Sequence, residues 1–321
     1  MTARKMERYS RDRIMKTFGR RFHFTLRQRS LLCACSRLRI AISAAILGAA
    51  LFNPLDAQEF KPFDHFLNIS TRVLVGSGDD VAIAGFIVSG SEAKMVIICA
   101  IGPSLRGAGI SNALQDPVLE LHDSSGALIA SNDNWKDTQQ AEIQASDLAP
   151  ADDHESAIVR TLSPGSYTAI MRGKAEASGI GLIEGYDLGS STDSIFANIS
   201  TRGLVGTGDN AMIGGLIVGG SGGGVNVVVA RALGPSLSSA GVQNALQDPT
   251  LELHDQNGAL IDSNDNWKDR QQALIERQNL APADDREAAL LDVLPAGAYT
   301  AIVRGKDDTT GVALVEFYNI R

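Results

Sequence analysis

The chain has 321 residues, 44% of them apolar and only 5% aromatic, with 32 glycines. That length suits about two domains, and the composition suits short strands and tight turns better than long helices. The formal charge of −8 averages two unlike parts: residues 1–57 hold 12 of the 29 Lys and Arg but only Glu7, Asp12 and Asp56 of the 37 acids, which leaves 17 basic against 34 acidic residues, a net −17, in the remainder. A body of that sign repels phosphate backbones and anionic membrane surfaces, which excludes nucleic acid as a natural partner.

The first predicted element is a leader over residues 1–57. Residues 1–39 are basic, and Ile40–Phe52 form an uncharged apolar run followed by Leu55-Asp56-Ala57. Basic, apolar, then small is the order of a secretory signal. The run is shorter than the ~20 residues of a membrane span. The chain is therefore expected to be exported, to the cell surface or beyond, with no stable membrane span after cleavage. Cys33 and Cys35 fall in this leader and leave Cys99 alone, so the remainder has no intramolecular disulfide and rests on its apolar core.

After a short linker (58–66) the sequence repeats itself. Asn68-Ile69-Ser70-Thr71-Arg72 returns as Asn198-Ile199-Ser200-Thr201-Arg202, and Gly102-Pro103-Ser104-Leu105 returns as Gly234-Pro235-Ser236-Leu237. The offset grows from 130 to 132 across the Gly-rich stretch Gly219–Gly224 and then holds. The copies span 67–189 and 197–321, joined by a polar linker over 190–196. A period of this length is a domain rather than a solenoid unit, so each copy is expected to fold alone, as one of two beads.

Within a copy the spacing predicts strands over Val81–Val88, Met95–Ile101, Val118–His122, Ala127–Ala130, Ser156–Leu162, Ser166–Arg172 and Ile180–Tyr186. Leu119-Glu120-Leu121-His122 alternates apolar and polar, as a strand with one wet face does. Ser125-Gly126 and Asn257-Gly258 supply tight hairpin turns. One helix is expected over Asp137–Leu148, capped by Asp137 and stopped before Pro150. The fold class expected is all-β: two tandem antiparallel β-sandwich (jelly-roll-like) domains, each with one short helix.

The second half of each copy carries a further pattern. Leu119-Glu120-Leu121-His122-Asp123-Ser124-Ser125-Gly126, then Ser131-Asn132-Asp133-Asn134, then Leu162-Ser163-Pro164-Gly165-Ser166-Tyr167-Thr168 resembles the bacterial pre-peptidase C-terminal (PPC) domain. The resemblance implies a β-sandwich appended to secreted enzymes and used as a binding or secretion module. The first half of each copy lies outside that pattern and is similar to tandem repeats of uncharacterised secreted bacterial proteins. No peptidase domain accompanies the repeats in this sequence.

The candidate sites are few. Asp116, Asp133, Asp152 and Asp153 recur as Asp248, Asp265, Asp284 and Asp285, beside Asn132, Asn134, Asn264 and Asn266. Calcium takes six to eight oxygen ligands, which such loops can offer; Asx turns, in which Asp and Asn satisfy loop backbone groups, use the same residues without metal. Trp135 and Trp267 follow this loop and either grip a glycan or protein partner or cover the end of the core. Glu120 and Glu184, recurring as Glu252 and Glu316, offer a carboxylate pair to a hydrolase reading, while single acids on strands otherwise read as solvated surface. Ser104 and Ser236 lack the Gly-x-Ser-x-Gly setting of a nucleophile elbow, and no Cys/His set has zinc spacing. The sequons at Asn68 and Asn198 open the domains and read as structural. The expectation is a non-catalytic exported module for binding, adhesion or matrix, without cofactor unless calcium. The alternatives are a hydrolase of extracellular polymer and a structural subunit assembling through sheet edges.

Overall fold

The alternation in Leu119-Glu120-Leu121-His122 sorts these side chains in the structure, a computed structural model: both leucines are fully buried, and Glu120 and His122 lie half-exposed on the opposite face. The structure describes residues 66–189, 194–219 and 225–320, so the leader lies outside it. In the first copy the strands are β1 (Phe66–Val75), β2 (Ala82–Gly90), β3 (Lys94–Ile101), β4 (Pro117–His122), β5 (Leu128–Asn132), β6 (Ser156–Leu162), β7 (Gly165–Gly173) and β8 (Gly179–Asp187), with helix α1 (Gln140–Ala145) before β6. In the second they are β9 (Ser194–Val205), β10 (Met212–Val218), β11 (Val225–Leu233), β12 (Pro249–His254), β13 (Leu260–Asn264), β14 (Ala288–Pro295), β15 (Gly297–Gly305) and β16 (Gly311–Ile320), with α2 (Gln272–Arg277) before β14. The all-β antiparallel sandwich expected from the sequence is the fold observed. Among the described residues no helix is long and apolar enough to cross a membrane.

The copies are not beads. One sheet runs β6-β3-β8-β1-β10-β15-β12-β13. The other runs β14-β11-β16-β9-β2-β7-β4-β5. Each sheet takes four strands from each copy, and all these pairings are antiparallel. β1 and β9 also meet in parallel at Phe66–Phe196 and Leu74–Leu204. The expectation of independent folding is corrected for a physical reason. A single copy would leave β1 and β2 as bare edges, and unpaired edge groups seek partners; here β10 and β9 supply them. The two sheets enclose one continuous core from Phe66, Val73, Leu119 and Met171 to Leu216, Val303 and Phe317. Each such fully buried side chain contributes about 1.5–3 kcal/mol.

The seam is built from the repeated Asn-Ile-Ser-Thr-Arg segment, which the sequence pattern does not mark as a strand. In β1 the segment is buried on both faces, with Asn68, Ser70, Thr71 and Arg72 all buried, so no alternation survives there; in β9 Ile199 and Thr201 are buried between half-exposed polar neighbours. Thr71 Oγ1 and Thr201 Oγ1 share a hydrogen bond of 2.8 Å. Phe86 of the first copy meets Phe196 of the second edge-on, with ring centroids 5.7 Å apart. Arg72 reaches the Asp209 carbonyl at 2.8 Å, and Asn112 donates to Asn210 at 3.1 Å.

A thinner layer covers the outer face of each sheet, beside β3 and β8 in the first copy and beside β14 in the second. Ile143 of α1 packs with Trp135, Ile97 and Tyr186, and Ile275 of α2 packs with Trp267 and Ala289. The helices are shorter than expected, and Asp137 does not cap α1. Its N-cap is Gln139, held left-handed at φ 57°, while Asp137 accepts from the Asn134 side chain. The hairpin turns place Gly126 and Gly258 at φ 81°. The Asp123 carboxylate accepts the Ser125 and Ala127 N–H groups across the first of them.

Candidate functional site

The eight aspartates separate into two kinds of place in each copy. Asp116 precedes β4 and Asp133 follows β5, and both face Lys174, whose ammonium lies 3.5 Å and 2.7 Å from them. Lys306 repeats this with Asp248 at 3.7 Å and Asp265 at 2.7 Å. A lysine side chain therefore stands where the sequence suggests a bound cation, and the Asp133 hydrogen bond holds the Lys174 ammonium above the usual lysine range. Asp152 accepts the His154 N–H in an Asx turn, which pulls its carboxyl below the usual range. Asp153 pairs with Lys136, and Asp285 with Lys268, each at 2.5 Å. Asp284 is held low by Arg286. Among the described residues no group of three or more His, Cys, Asp or Glu is arranged to hold a metal ion.

Between these aspartates runs the most completely used polar group of each copy. Glu155 is fully buried. Its Oε1 accepts the Gly102 N–H at 3.0 Å, the Ser104 N–H at 3.0 Å and the Ser104 hydroxyl at 2.5 Å, and its Oε2 accepts the Asp152 N–H at 3.2 Å. Glu287 makes the same set with Gly234, Ser236 and Asp284. The Gly-Pro-Ser-Leu motif is thus a turn whose backbone donors converge on one carboxylate. The glycine is required: a Cβ at Gly102 would fall 2.2 Å from the Leu114 carbonyl oxygen. Sequence reasoning passed over this glutamate. The available signal was its fixed distance of 53 residues from the glycine in both copies.

Trp135 and Trp267 are 5% and 4% exposed. Their indole N–H groups donate to the Asp152 and Asp284 carbonyls at 3.1 and 3.2 Å. The structure gives them the packing role, with little ring surface left for a partner. Cys99 is buried, as its apolar run implies; Arg231 stands in its place in the second copy and binds Glu316 and the Tyr318 hydroxyl. Tyr186 donates to Glu184, and Tyr318 to Glu316. On the outer faces His122 Nε2 lies 3.2 Å from Glu120 and its Nδ1 3.1 Å from the Gly126 carbonyl, and His254 repeats this with Glu252 and Gly258.

The first Asn of each Asn-Asp-Asn loop binds the sheet, while the second, Asn134 or Asn266, donates to Asp137 or Asp269. Asn132 Oδ1 accepts the Ala157 N–H at 3.0 Å, and the Gln139 side chain holds both the N–H and the C=O of Val159, at 3.2 and 2.8 Å. Asn264 and Gln271 do the same for Ala289 and Leu291. Side-chain amides thus occupy the free side of β6 and of β14, where another strand would otherwise pair.

No family model matches the chain, and no curated protein matches it. Among the solved structures similar to it at a low level are two. One is described as the crystal structure of the STIV MCP, with 10% identity, 80% of this chain and 93% of that chain covered, and a TM-score of 0.21. The other is a DUF4785 family protein (lpg0956) from Legionella pneumophila, with 9% identity, 80% and 84% covered, and a TM-score of 0.21. Likeness of this degree bears on neither activity nor ligand.

Proposed function

We propose that the protein is an exported, non-catalytic module for binding, adhesion or matrix, built from a duplicated PPC-like β-sandwich. The carrying observation is the fusion of the copies through both sheets, which sets each repeated surface group twice on one body. The outward Glu120–His122 pair and its twin Glu252–His254 are one such set. Two weak sites on one body gain from effective concentration, which rewards a binder and adds nothing to a single catalytic centre. Supporting this, Glu155 accepts from the Gly102, Ser104 and Asp152 backbone N–H groups and from the Ser104 hydroxyl, and Glu287 does the same in the second copy, so these groups bond within the chain itself. An extracellular glycan or protein is the partner class this reading implies.

The test is retention of the full chain on insoluble cell-wall polymer and on a glycan array, with turnover followed in parallel. Retention without release of soluble product is expected. Product release by the pure protein, abolished by Glu184→Gln or Asp133→Asn, would refute the reading in favour of a hydrolase. So would the absence of any retained glycan or protein.

A further inference from the structure

Among the described residues each sheet ends on two strands with one unpaired side, which makes four edges: β6 and β13 in one sheet, β14 and β5 in the other. An unpaired edge is a template for another strand, and proteins blunt such edges with charges, prolines or covering groups. Three of the four are blunted. Asn132 and Gln139 occupy β6; Asn264 and Gln271 occupy β14, which also ends on Pro295. On β13 Arg270 donates to the Ser263 carbonyl at 3.3 Å and to Asp262 at 2.5 Å.

β5 is the counterpart of β13 in the first copy, and it lacks both of those charges. Ala130 stands where Asp262 does, and Thr138 stands where Arg270 does. The strand Leu128-Ile129-Ala130-Ser131-Asn132 carries no charge, pairs among the described residues only with β4, and presents Leu128 at 56% exposure. We propose that β5 is a docking edge, and that its partner is β5 of a second copy of this chain.

Antiparallel self-pairing centred on Ala130 sets Ile129 opposite Ser131 of the partner and extends the sheet that ends on β5. Uncharged residues make that self-opposition free of repulsion, which like charges directly opposite would not be. The chain already extends this same sheet antiparallel at β2–β9, across its own two copies. The inference does not depend on the binding role proposed above, since self-pairing is read from mass alone.

The experiment is sedimentation equilibrium of the full chain over a wide range of concentration, with melting followed by circular dichroism. The parent is expected to rise from the monomer mass to twice that mass. Ala130→Asp/Thr138→Arg transplants the β13 charges and is expected to weaken association at least tenfold with melting unchanged. Leu128→Lys, at an exposed position, is expected to weaken it as well, and decides the matter if the double variant fails to fold. A parent that stays monomeric throughout overturns the proposal. So does association that survives both variants undiminished.

Discussion

Replacing Glu155 by Ala removes the acceptor on which the Gly102, Ser104 and Asp152 N–H groups converge. The Ser104 hydroxyl can rotate toward another acceptor, but the three backbone donors cannot. Each buried donor left without a partner costs about 1–3 kcal/mol, and water entering the vacated space recovers part of it. A net loss of about 4 kcal/mol follows. At roughly 2–4 °C per kcal/mol for a body of this size, melting should fall by roughly 8–16 °C. Because one core and both sheets run through both copies, the variant should still melt in a single transition. Glu287→Ala, which breaks the same set in the second copy, should match it closely. Ser104→Ala, which leaves the carboxylate its backbone donors, should lose only about 1 kcal/mol. Differential scanning calorimetry of the three variants checks this. A drop under roughly 2 °C for Glu155→Ala, or a resolved second transition that keeps the parent melting temperature, would refute the convergence argument or the shared core respectively.

The Thr71–Thr201 bond makes a double-mutant cycle informative: Thr71→Val should cost about 1–3 kcal/mol by stranding a buried Thr201 hydroxyl, whereas Thr71→Val/Thr201→Val should be nearly neutral. Urea denaturation of the single and double variants reads both, and a double variant as unstable as the sum of its singles would count against the bond. Asp292 on β14 has its carboxyl raised above the usual range by burial and then by Asp262. A carboxyl whose folded pKa exceeds its unfolded one binds more protons when folded, so its charge costs stability above the folded value, and that cost fades as pH falls through the folded value toward the unfolded one. Asp292→Asn should therefore melt higher than the parent at pH 7, with the difference gone near pH 3; an equal gain at both would exclude the charge as its cause.

Much of the fold could be read in the residues. Leucine alternation located β4 and β12, and the glycines of Ser125-Gly126 and Asn257-Gly258 located the turns that follow. Trp135 and Trp267 were open between core and partner, and their position behind an apolar helix face decided for core. The Asn-Ile-Ser-Thr-Arg strands escaped because polar side chains are buried at the seam between copies, Asn68, Ser70, Thr71 and Arg72 on one side and Thr201 on the other, and nothing local says that a second sheet edge lies against them. The aspartates were misgrouped for a related reason. One oxygen of Asp133 is bonded by Lys174, 41 residues away along the chain, and the Asx turn at Asp152 involves only its near neighbours. Asn132 and Gln139 have meaning only once β6 is known to be an outermost strand.

The reciprocal joint at β1–β10 and β2–β9 carries a consequence for how such a gene can change. The joint consumes the same two edges on each half, as a twofold-symmetric dimer interface does, and so closes on itself. A third repeat appended in tandem would find those edges occupied, and deletion of either repeat would expose both of them at once. Each closed body of this kind therefore takes two repeats. By this pairing, a longer array would close its edges in whole pairs of repeats.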